Sequence, residues 1–275
     1  MENFYNDVNK AYAMLDLNRK IVGVKFVKTA KEFEAIDAIR ISRPMSYCVA
    51  VKSATGGHSI KFNKATSDCG GSTRSLGLEE PSCDFLNGTE GYKLGLFKDK
   101  ETAMIIASET TNILEHNYGI LVQPIEKYGH NMYPDVVLII SHPREMMRVI
   151  QGYTYHYGIT KNISMSGNQG ICVEATAYPL VNNTINVSFL CSGTRFLANW
   201  SENEVAIGMP FHMFSKVVDG IYHTINSVEM DDRKQKISEA FSAGNIAELE
   251  MEYGKTYYIE YEKEKREKRK NEKKQ

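Results

Sequence analysis

The residues in this chain whose types and spacing could do chemistry are its cysteines. Cys48 lies in "MSYCVAVKSA" (45–54) and Cys172 in "QGICVEATAY" (169–178), two versions of one phrase that puts a thiol just ahead of a small-residue, helix-like run. Cys69 in "SDCGGSTRSLG" and Cys191 in "FLCSGTRFLAN" make a second matched pair, each followed by small residues and then Thr-Arg. A thiol near a helix N-terminus faces unpaired amides and the positive end of the dipole, which favours thiolate. Small residues beside it let backbone N–H groups turn towards sulfur. Arg74 and Arg195 could balance the charge of such a site or hold a small anionic ligand.

The elements that must position these residues follow from the repetition. Besides the two cysteine phrases, "KIVGVKFVKTAKEFEAIDA" (20–38) matches "DVVLIISHPREMMRVIQGY" (135–153), and "GYKLGLFKDKETAMIIASETT" (91–111) matches "NEVAIGMPFHMFSKVVDGIYHT" (203–224), all in the same order. Matches in register along a chain are the signature of internal repeats. The expected fold class is therefore α+β and internally duplicated. Its two halves, 20–111 and 135–225, are related by a pseudo-two-fold axis, each roughly strand–helix–helix–strand–strand–helix. An amphipathic N-terminal helix fills 1–19, a linker 112–134, and a C-terminal helical segment 226–259.

Duplication has a consequence for the thiols. A two-fold axis maps Cys48 onto Cys172 and Cys69 onto Cys191, so pairs lying near it would make a four-thiolate centre without any C-x-x-C motif. Four such ligands suit a [4Fe–4S] cluster or zinc. The cluster is the leading expectation, because structural zinc usually staples a small domain with closely spaced ligand pairs and this chain is long enough for its own core. Metal-free buried thiols stay open as well, since free Cys is among the most buried residue types. Cys83 has no counterpart in the other half and reads as a bystander.

Composition bounds the rest. The 275 residues are 42% hydrophobic and 24% charged, with a formal net charge of −1. The longest apolar stretch, "VVLII", is too short for a membrane span. The opening "MENFYNDVNK" reads as neither a secretory signal nor a transit peptide, so a cytoplasmic location is expected, where thiols stay reduced. The tail 260–275 carries eight Lys/Arg against five Glu. It reads as disordered or as a fraying solvated helix, and its glutamates disfavour nucleic acid.

One asymmetric feature remains. "QGYTYHYG" (151–158) sets three tyrosines around His156 where the first half has "IRISRP". It reads first as an aromatic wall of the core. If it lines a pocket, Tyr155 and His156 are candidate proton donors, with Gln169 and Arg195 orienting an anion. The glycine clusters lack Rossmann or P-loop spacing, so no nucleotide site is expected.

The stretches "RPMSYCVAVKSA", "SDCGGSTRSLGL", "PDVVLIISHPREMMRVIQGYTYHYG", "GNQGICVEATAYPL" and "SFLCSGTR" resemble the prokaryotic domain-of-unknown-function 169 family, over about residues 8–228. The resemblance implies no activity, because that family is named for lacking one. It implies an archaeal or bacterial, often anaerobic, source, which favours an oxygen-sensitive cluster. Cys48, Cys69, Cys172 and Cys191 fall in the family-like motifs, whereas Cys83 and the basic tail do not. The leading expectation is thus an iron–sulfur protein serving an electron-transfer partner, sensing, or acting as a Lewis acid on a small ligand. Its rivals are a metal-free small-molecule-binding protein and a zinc-stabilised scaffold. Whether the chain is an enzyme, and its oligomeric state, are left open by the sequence.

Overall fold

The computed structural model describes residues 2–129, 132–247, 249–254 and 257–273. Among the expected segments, residue 1 of the N-terminal helix, 130 and 131 of the linker, 248, 255 and 256 of the C-terminal segment, and 274 and 275 of the tail lie outside them. The chain runs through α1 (Glu2–Met14), β1 (Val22–Val27), α2 (Ala30–Ala35), β2 (Ile39–Arg40), α3 (Tyr47–Thr55), β3 (Ile60–Asn63) and α4 (Gly70–Ser75). It continues through α5 (Cys83–Leu86), α6 (Thr89–Lys93), α7 (Lys100–Glu109), β4 (Gly119–Pro124), β5 (Val136–Ser141) and α8 (Pro143–Tyr157). A π-helix (Gly170–Ala177) then leads into α9 (Tyr178–Asn182), β6 (Asn186–Ser188), α10 (Ser192–Ala198), β7 (Val205–Pro210) and α11 (Phe211–His223). The last elements are α12 (Ile225–Val228), α13 (Asp231–Ala243) and α14 (Tyr257–Glu272).

Two compact units result. The larger one, residues 17–146 and 161–214, holds a mixed sheet of order β2-β3-β4-β1-β5-β7-β6. Six strands, β3 to β6 in that order, are antiparallel, and the two-residue β2 adds in parallel at one edge. The middle strands are rich in β-branched residues and buried on both faces, so they read as unbroken apolar runs rather than alternating ones. Val22, Val24, Phe62, Val122, Leu138 and Ala206 point to one face, where Tyr47, Ala50, Val51 and Ala54 of α3 and Ile171, Val173 and Ala175 of the π-helix close the core over them. Burying such side chains contributes roughly 1.5–3 kcal/mol each before the entropy of ordering them is counted.

The smaller unit, residues 1–16, 147–160 and 215–275, is helical. Its interior carries a fully buried ion pair, Arg148 Nε to Glu229 Oε1 at 2.7 Å. A Cβ on Gly220 would sit 2.1 Å from the Gly152 carbonyl oxygen, so only glycine permits this backbone crossing.

Several expectations change. Residues 112–134 are not a bare linker: they contain β4, which pairs with both β1 and β3. The strand that the repeat pattern places ahead of the helix in 91–111 does not form: residues 91–96 are the end of α6 and a turn through Gly95 at φ +69°. Within 135–225 α10 intervenes between β6 and β7, so the order there is strand–helix–helix–strand–helix–strand–helix. Of the two forms expected for the charged tail the structure has the helical one, α14 over Tyr257–Glu272. Among the described residues no helix is long and apolar enough to cross a membrane.

Candidate functional site

All four matched cysteines belong to the sheet unit, and each stands at the start of a helix. Ser46 caps α3, its hydroxyl accepting the Val49 N–H at 3.4 Å, which puts Cys48 in the first turn. Cys172 is likewise in the first turn of the π-helix. Cys69 and Cys191 are themselves the N-caps of α4 and α10, and Cys191 Sγ accepts the Thr194 N–H at 3.3 Å. A Cβ built on Gly193 would lie 3.9 Å from Cys191 Sγ, so the sulfur rests over glycine backbone.

The helices meet crosswise. α10 packs against α3, and α4 packs against the π-helix. Cys48 hydrogen-bonds Cys191 across the first contact, and Cys69 acts electrostatically on Cys172 across the second. The buried Thr194 hydroxyl lies 2.9 Å from Cys48 Sγ and 2.9 Å from Cys191 Sγ, bridging the two.

This arrangement separates the thiols electrostatically. The Cys48 S–H donates to Cys191, and the Thr194 hydroxyl and the N–H groups of Gly170 and Thr194 add to it, against the cost of burial. Together they hold Cys191 down at about 5. Cys48 is pushed well up, first because its proton is held in that hydrogen bond, then by burial and the Cys172 charge. Burial raises Cys172, helped by the charges of Cys69 and Cys191. At neutral pH the site thus contains a half-buried Cys191 thiolate beside two buried neutral thiols, Cys48 and Cys172. A thiolate of that kind is a nucleophile and a soft metal donor. Among the described residues, no three His, Cys, Asp or Glu side chains are grouped so as to hold a metal ion.

The other expected site residues divide. Arg74, in α4, holds its Cζ over the Phe85 ring, 3.8 Å from the centroid, and donates from Nη1 to Glu90 at 3.1 Å. Gln169 donates to Thr110 at 3.4 Å and leaves its buried Oε1 without a partner. Arg195 is engaged by three carbonyl oxygens, those of Ser201, Phe189 and Glu204 at 2.6–3.0 Å, and so braces the loop around α10 rather than facing a ligand. Tyr155 and His156 belong to the helical unit. Tyr155 is 52% exposed and stacks on His223, while His156 Nε2 lies 2.8 Å from Asp219 Oδ2. That segment is therefore not a core wall, except at the buried Tyr153. Cys83 is exposed at the start of α5.

Two residues the sequence did not single out matter here. Thr194 sits in the matched Thr-Arg pair, where the guanidinium drew attention instead of the hydroxyl. Glu174 is a lone carboxylate inside the apolar run "ICVEATA", a pattern that signals a buried, fully bonded acid. Its Oε1 accepts the Ser166 and Gly167 N–H groups at 2.8 and 3.0 Å, and its Oε2 accepts the Ser188 hydroxyl at 2.6 Å.

Comparison with known proteins gives kinship without an activity. The uncharacterized protein MJ0308 of Methanocaldococcus jannaschii is 25% identical over 225 residues, which cover 79% of this chain and 93% of that protein. No solved structure matches the chain. The family model described as "Uncharacterised ArCR", domain of unknown function 169, matches residues 12–220, and the chain belongs to that family.

Proposed function

We propose that this protein works through a buried thiol–thiolate centre, with Cys191 as the reacting sulfur and Cys48 as its proton-bearing partner in exchange with a disulfide carrier. The observation that carries this reading is the single Thr194 hydroxyl 2.9 Å from both sulfurs, which holds two distant cysteines side by side. The Cys191 thiolate attacks a carrier disulfide RS–SR, forming a mixed disulfide and releasing RS⁻. Cys48 then gives up its proton and displaces the second sulfur. The sum is RS–SR plus one thiol and one thiolate, giving the Cys48–Cys191 disulfide, RSH and RS⁻. The carrier is the electron partner, and a reducing, cytoplasmic setting keeps the resting pair reduced.

The test is to treat reduced protein with oxidised dithiothreitol and map disulfides by peptide mass. A Cys48–Cys191 bridge is expected. A different pairing, or none, defeats the reading.

One observation favours a second reading, a [4Fe–4S] cluster on Cys48, Cys69, Cys172 and Cys191. The charges of Cys69 and Cys191 act on Cys172 and that of Cys172 acts on Cys48, which supports a shared site, although among the described residues no three such side chains are grouped to hold a metal ion. Anaerobic purification followed by iron, acid-labile sulfide and zinc analysis separates the alternatives. Iron with sulfide, lost in Cys69→Ser and Cys172→Ser, supports the cluster, and stoichiometric zinc supports a scaffold. Neither metal, with the Cys48–Cys191 bridge retained in Cys69→Ser, supports the thiol pair.

Either reading draws on a two-copy origin. What supports that origin is the strand order, in which β1 and β5 lie at the centre, flanked by β4 and β7 and then by β3 and β6. The reciprocal packing of α10 on α3 and of α4 on the π-helix fits the same two-fold relation.

A further inference from the structure

We infer that the cavity beside α4 is a binding site for a small carboxylic acid that carries a neighbouring hydrogen-bond donor and a short apolar side chain, an α-hydroxy or α-amino acid. The cavity has a volume of about 190 Å³ and is lined by Arg74 and Gly71 of α4, Glu90, Phe85, Ile106 and Gln169, among others. Two of these residues have buried polar atoms without partners: Arg74 Nε, a donor, and Gln169 Oε1, an acceptor. Folded proteins leave few such atoms unsatisfied, and two of opposite kind on residues that line one cavity match a missing acceptor and a missing donor.

The guanidinium is presented for this task. Its Cζ sits over the Phe85 ring, and Glu90 accepts from Nη1 at 3.1 and 3.3 Å. That leaves the Nε–Nη2 edge, the fork that receives a carboxylate side-on with two parallel bonds. Glu90 also supplies a negative charge at the rim, matched to the ammonium of an amino acid. Phe85, Leu94, Phe97 and Ile106 give the apolar wall for a short side chain. The site adjoins the thiol centre, since a Cβ on Gly71 would lie 3.8 Å from Cys69 Sγ and 3.9 Å from Arg74 Nη2. It does not depend on thiol chemistry.

Titration calorimetry on the reduced full-length protein tests this with four probes. These are 2-hydroxy-4-methylpentanoate, leucine, 4-methylpentanoate (no donor) and leucinamide (no carboxylate). One of the first two should bind at least tenfold more tightly than either control, and whichever does so identifies the hydroxy- or amino-acid class. Arg74→Lys, which loses the fork but keeps the charge, should weaken that binding at least tenfold. Gln169→Leu should bring the donor-bearing acid down to the level of 4-methylpentanoate. No binding by any probe, equal binding by all, or unchanged affinity in a Gln169→Leu protein of normal melting temperature overturns the site. Acid binding without a Cys48–Cys191 disulfide upholds this site and rejects the thiol reading, and the reverse result rejects this site alone.

Discussion

Cys48 and Thr194, 146 positions apart in the chain, lie 2.9 Å from one another, and the same hydroxyl reaches Cys191 at 2.9 Å. The contact exists because α10 packs on α3, an element far earlier in the chain, so the chemistry at Cys191 depends on a donor that is distant in sequence. Thiolate character at this position is a property of the crossing.

Alkylation of Cys191 should therefore follow an unusually low pH profile. Iodoacetamide labelling, read by peptide mass, is expected to show a midpoint at about 5. Cys48→Ala removes the largest stabilising donor and should raise the midpoint most. Thr194→Val, which keeps the shape and loses the hydroxyl, should raise it less. A Cys48→Ala profile that overlays the wild type would show that the two sulfurs do not share a proton.

The same shifts give stability a pH dependence whose sign can be worked out. Cys191 is depressed from an ordinary 9.0 to about 5, so its contribution is fully present above about pH 9 and is lost as pH falls towards 5. Cys48 and Cys172 are raised, so theirs is present below about pH 9 and is lost at higher pH. Urea midpoints of the reduced protein should rise from pH 6 to pH 8 and fall again by pH 10. In Cys48→Ala the rise should flatten, because Cys191 loses most of its depression; an equally steep rise there would place its origin elsewhere.

Much of this was legible in the sequence, for physical reasons that also mark where it stopped. Helix starts at Cys48 and Cys172 could be read because each thiol stands at the head of a small-residue, helix-like run. β4 was missed because "GILVQP" is short, apolar on both faces and ends in Pro, so it shows no period against its flanks. The crosswise pairing of α3 with α10 is tertiary and leaves no local trace. That three backbone carbonyls recruit Arg195 was not legible either, since nothing in "CSGTR" shows where those carbonyls fall.

Gly208 should be irreplaceable. It lies opposite Leu138 of β5 and Asn186 of β6, and a Cβ there would come within 1.6 Å of the Ala175 carbonyl oxygen of the π-helix. Gly208→Ala must therefore lift that helix off the sheet, at a cost of about 3 kcal/mol, read as a lower urea midpoint. Because Gly170 N–H donates to Cys191 from the same helix, the alkylation midpoint of Cys191 should also climb. Loss of stability with an unchanged midpoint would separate the helix position from the thiolate.

Glu174 links the core to the loop that carries Asn168 and Gln169 towards the α4 cavity. The carboxylate gathers the Ser166 and Gly167 amides and the Ser188 hydroxyl, and Asn186 Nδ2 ties down its own carbonyl at 2.7 Å. Glu174→Ala leaves the two amides and the hydroxyl without their acceptor, which should cost about 3 kcal/mol. Glu174→Gln keeps one acceptor oxygen for the amides and should cost about 1 kcal/mol. Hydrogen exchange at Ser166 and Gly167 should accelerate strongly in the alanine variant and weakly in the glutamine one. With the loop released, Gln169 no longer holds its place, so the preference for a donor-bearing acid should shrink alongside exchange protection. If protection vanished while acid discrimination stayed intact, Gln169 would not be the acceptor that reads the donor.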